Sequence, residues 1–114
     1  MLDYEKLDVY QCAVQHLAFV FEALKKVPRG HAALTYQWRR AATSIPMNIA
    51  EAVGKLTAPD RINKYAIARG EAMECGAIID VIRLLGCVPE SDLAGGKELL
   101  ERIVRMLTKL SHQA

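Results

Sequence analysis

The sequence predicts an all-α domain, an antiparallel up-and-down four-helix bundle whose second helix is kinked at a proline. Three observations carry this. Apolar residues recur at steps of three and four in four separate segments, no segment shows the alternation of a strand, and the connections are a handful of residues each. At 114 residues the chain makes one domain, residues 1–114, long enough to bury a shared core without disulfides or metals.

In the first segment Tyr10, Ala13, Leu17, Val20, Leu24 and Val27 line one side of a helix from about Asp8 to Lys26. Pro28 and Gly30 end it, since a ring without an N–H and a residue without a Cβ suit a turn. The second helix carries Leu34, Trp38, Ala41, Ile45, Ile49 and Ala52 and stops near Gly54. Pro46 removes the hydrogen bond to the Ala42 carbonyl, which predicts a kink, eased by Thr43 and Ser44 hydroxyls bonding back one turn. Thr57 followed by Asp60, with Pro59 in the first turn, starts the third helix. Its stripe is Tyr65, Ala68, Ala72, Cys75, Ile79 and Ile82, and Gly70, Ala72 and Gly76 let a neighbour come close. Gly86 and Pro89 close it. Ser91 or Asp92 caps a fourth helix with Leu93, Gly96, Leu100, Ile103, Leu107 and Leu110, its first turn weakened by Gly95 and Gly96.

No stretch approaches the roughly 18 uninterrupted apolar residues of a membrane span. The charged start, Met1 to Asp8, has no apolar run before a cleavage site, so a soluble, cytoplasmic protein without a membrane partner is expected. Cys12, Cys75 and Cys87 lack C-x-x-C spacing and read as buried thiols. None of His16, His31 and His112 has a Glu three residues before it, so the Glu-x-x-His pair of carboxylate-bridged metal bundles is missing. The reading is a chain with no metal, no cofactor and no catalytic site, hence not an enzyme.

The first helix has more apolar surface than one core needs. Asp8, Gln11, Gln15, Glu22 and Lys26 fit a narrow polar arc, which leaves Cys12, Val14, Phe19 and Phe21 outside the core stripe and predicts a homo-oligomer with this helix in the contact.

Charge is lopsided although the net value is only +2. Lys25, Lys26, Arg29, Arg39 and Arg40 fall in a stretch with no acid, whereas Glu71 to Glu101 holds seven acids against Arg83 and Lys97. The basic corner suits phosphate, because each guanidinium presents a planar fork of donors. The alternative is a solvated corner with internal salt bridges. Asn48, Glu51, Arg69 and Glu74 fall on inner turns of the second and third helices and predict an internal polar network that fixes register.

The segment RRAATSIPMNIAEAVG, Arg39 to Gly54, with its S-I-P-x-N-I-A-E core, resembles the four-helix bundle proteins encoded within intervening sequences of bacterial 23S ribosomal RNA genes. LDVYQCA at Leu7 to Ala13 and IARGEAMEC at Ile67 to Cys75 resemble two further blocks of that family. Ala52 stands where the family commonly has glycine and Glu71 where it commonly has serine. The resemblance implies a bundle of no known enzymatic activity. It extends to the accessory variability proteins of diversity-generating retroelements, which implies a pentameric basic barrel that binds nucleic acid and a reverse transcriptase. The functional expectation is an oligomeric bundle that binds nucleic acid through Lys25 to Arg40; the alternative is a structural or protein-interaction module.

Overall fold

Each periodic segment coils so that its apolar stripe turns inward, and the computed structural model, which describes residues 1–113, has four long helices. A 3-10 turn at Asp3–Lys6 leads into α1 (Asp8–Leu24), followed by α2 (Ala32–Val53), α3 (Ala58–Leu85) and α4 (Glu90–Gln113). No strand occurs among the described residues.

Each of α1 and α3 packs against α2 and α4 but not against the other, so these two helices occupy diagonal corners. The pairing runs antiparallel. As the α2 partner advances from Arg40 to Glu51, its α3 partner retreats from Glu74 to Lys64. Between α3 and α4, moving back from Asp80 to Arg69 moves the partner forward from Lys97 to Thr108.

The core holds Val20, Trp38, Ile45, Ile49, Ile79, Ile82, Leu93, Ile103 and Leu107, all shut from solvent. Burying each such side chain stabilises the fold by about 1.5–3 kcal/mol.

Local signals set the ends. The Thr57 hydroxyl accepts from the Asp60 N–H at 3.4 Å, capping α3. Gly86 closes α3 with φ of 65°, the left-handed conformation that a residue without Cβ adopts freely. α2 runs through Pro46 without a break, and the Thr43 hydroxyl donates to the Arg39 carbonyl at 2.7 Å, one turn back.

Two expectations need correction. α4 begins at Glu90, ahead of Ser91 and Asp92. The inner face of α1 is also rotated from the expected stripe: Val9, Cys12, Ala13, His16, Val20 and Ala23 are buried, while Tyr10, Leu17, Leu24 and Val27 pack at its edge. The cause lies in α4. Any Cβ at Gly96 would collide with the Phe19 ring, which fills the space the glycine leaves and meets Trp38 edge-on at 6.0 Å between centroids.

Candidate functional site

This rotation divides the apolar surplus of α1. Cys12 and Phe19 turn inward and drop out of the expected contact, whereas Val14 and Phe21 face outward, Phe21 with 46% of its surface exposed. A longer apolar face, missed in the sequence, runs along α3. Ile62, Met73, Val81 and Leu84 stand out from it, with Met73 51% and Leu84 85% exposed. The signal was available: those residues repeat at helical spacing opposite the buried stripe of Tyr65, Ala72 and Ile79.

The five basic residues do not form one patch. Lys25 reaches back to Glu22 at 3.2 Å, and Lys26 crosses to Asp92 on α4 at 3.5 Å. Arg40 lies on the α3 side of α2, 2.9 Å from Glu74 and 3.5 Å from Glu71. Those two carboxylates, Glu71 first, hold the Arg40 guanidinium above its ordinary pKa. Arg29 and Arg39 are the two that come together. Both line an open cleft of about 340 Å³ at the α1–α2 corner, beside His31 and Thr35. Neither guanidinium has an ion-pair or hydrogen-bond partner among the described residues.

The expected internal network is not formed, because its members point to different neighbours. Asn48 donates to the Ser44 carbonyl and hydroxyl within α2, and Glu51 pairs with Lys64 at 3.0 Å. Arg69 Nε donates to the Thr108 hydroxyl at 2.9 Å, while Glu74 belongs to Arg40. Register is thus held by separate pairs at the rims of the helix contacts.

Burial favours the neutral forms of His16 and Cys75. His16 is wholly buried with neither ring nitrogen bonded, and burial lowers its pKa to about 4. Burial, then the negative charges of Glu71 and Glu74, pushes the Cys75 thiol up to about 12. No group of three His, Cys, Asp or Glu side chains could hold a metal ion among the described residues. No helix is long and apolar enough to cross a membrane among the described residues.

Four helices around one core, with polar pairs at the rims, define an all-helical bundle. The sequence matches the model of the 23S rRNA-intervening sequence protein family over residues 5–109, and the chain belongs to that family. It is similar in fold to a protein of unknown function of the S23 ribosomal protein family from Bacteroides thetaiotaomicron, known from a crystal structure. The two share 21% identity with a TM-score of 0.82, over 91% of this chain and 95% of the other. No curated protein matches the sequence.

Proposed function

We propose that the chain is a non-enzymatic assembly module, a bundle that works by associating with copies of itself. The observation that carries this is the pair of exposed apolar faces on diagonal corners, Val14 with Phe21 on α1 and Ile62 to Leu84 on α3. Large apolar side chains grouped on one face mark contact surfaces. The resemblance to accessory variability proteins supports a ring of five copies in a cytoplasmic setting, with a reverse transcriptase or another protein as partner. Light scattering tests the association: the expected mass is a multiple of one chain, reduced by Phe21→Asp, and a wild-type monomer rejects the reading.

A second reading, nucleic-acid binding, has one specific observation in its favour. Arg29 and Arg39 share a cleft and carry no carboxylate partner, so their donors face solvent. Repetition around an assembly multiplies two charges per copy. Filter binding of RNA and DNA across salt checks this: affinity that falls steeply with salt and drops with Arg29→Ala plus Arg39→Ala supports it, and no affinity at low salt rejects it.

A further inference from the structure

We propose that the outer face of α3 is self-complementary and receives a second copy of this chain, its α3 antiparallel to the first, about a two-fold axis near Cys75. This rests on the association reading and specifies which helix meets which.

Ile62, Ala66, Gly70, Met73, Ala77, Val81 and Leu84 are all exposed and recur at steps of three and four. At 1.5 Å per residue the row spans about 33 Å. Arg69 and Asp80 flank it on the α4 side, and Glu74, already paired with Arg40, flanks it on the α2 side. Glycine within a helix costs about 1 kcal/mol relative to alanine. At Gly96 that cost makes room for Phe19, but a Cβ added at Gly70 or Gly76 meets nothing within 4 Å inside the molecule. The space they leave opens outward.

An antiparallel partner centred near Cys75 sets large against small at each level. Leu84 falls opposite Ala66, and Met73 falls opposite Ala77 with Gly76 beside it; the symmetry repeats both. The partner's Met73 would enter the cleft of about 730 Å³ between α3 and α4, against Gly76, Ala77 and Leu100, with Asp80, Lys97, Glu101 and Arg105 also lining it. The same axis brings Arg69 opposite Asp80. Arg69 has the Thr108 hydroxyl as a partner but no carboxylate among the described residues. Asp80 meets Lys97 at 2.8 Å and Arg83 at 3.3 Å, both through Oδ1. A parallel pair would set Met73 on Met73 and place Arg69 and the partner's Asp80 on opposite margins, out of reach of each other, so size and charge both select the antiparallel arrangement. Such a contact is isologous, each copy giving and receiving the same residues.

Light scattering with thermal melts of the full chain tests this. The expected wild-type mass is an even number of copies, ten where two five-copy rings pair through α3, halved by Met73→Glu and by Gly76→Leu with the fold retained; a wild-type mass of five copies overturns the α3 contact. Arg69→Glu and Asp80→Arg should each raise the dissociation constant by about tenfold or more, and the double variant should recover affinity because the exchanged charges again face each other. A mass untouched by both Met73→Glu and Gly76→Leu, or a double variant no better than the single ones, overturns the α3 contact. If Phe21→Asp lowers the mass while the α3 variants do not, association stands and this contact falls. A wild-type monomer removes both.

Discussion

His16 is the residue where burial and chemistry conflict most openly. Its imidazole is wholly enclosed with both nitrogens unbonded, near the Phe19 ring at 6.0 Å between centroids. A neutral ring tolerates this; a cation does not. With a folded pKa of about 4 against 6.5 unfolded, the unfolded chain takes up the proton first, so stability rises with pH. Stability is complete above about pH 6.5 and falls as pH drops toward 4, a loss of about 3 kcal/mol at 1.36 kcal/mol per unit. Urea unfolding at pH 8 and pH 5 should show about 2 kcal/mol of that loss, and His16→Leu should flatten it. Phe19 gives a second test. Phe19→Asp would place a carboxylate between Trp38 and α4 and should unfold the bundle, whereas Phe21→Asp should keep the helical content of wild type.

At the scale of the helix, most of the architecture was legible and the rotation of α1 was not. Three-and-four spacing placed α1, α2 and α3 within a few residues, because periodicity, proline and capping act locally. The inner face of α1 was misplaced because both of its candidate stripes are apolar, and the choice between them depends on Gly96, about eighty positions away. The polar network failed for a similar reason: spacing put Asn48, Glu51, Arg69 and Glu74 on inner turns but could not say that Lys64, Thr108 and Arg40 would reach them first. The exposed row of α3 is readable in the sequence, since Ile62, Met73, Val81 and Leu84 recur at helical spacing. Gly96→Val would force the Phe19 ring aside and should cost about 1–3 kcal/mol in a thermal melt. Thr57→Ala removes a long cap of 3.4 Å and should cost about 0.5 kcal/mol.

For the molecule as a whole, the corner that looked basic in sequence is divided among partners once folded. Lys25, Lys26 and Arg40 spend their charge on carboxylates, which leaves Arg29 and Arg39 as the pair whose replacement should change anion affinity without changing the melt. The proposed association, by contrast, gains from folding, since the apolar rows on α1 and α3 emerge only when the helices take their corners. The cysteines offer a way to watch the molecule open. Cys12 and Cys75 are sealed in the core while Cys87 is half-exposed near the end of α3. A maleimide should therefore tag one thiol of the intact molecule at once and the other two only when the helices part. Mass spectra taken over time would then count openings directly, with the jump from single to triple labelling serving as a clock for cooperative unfolding.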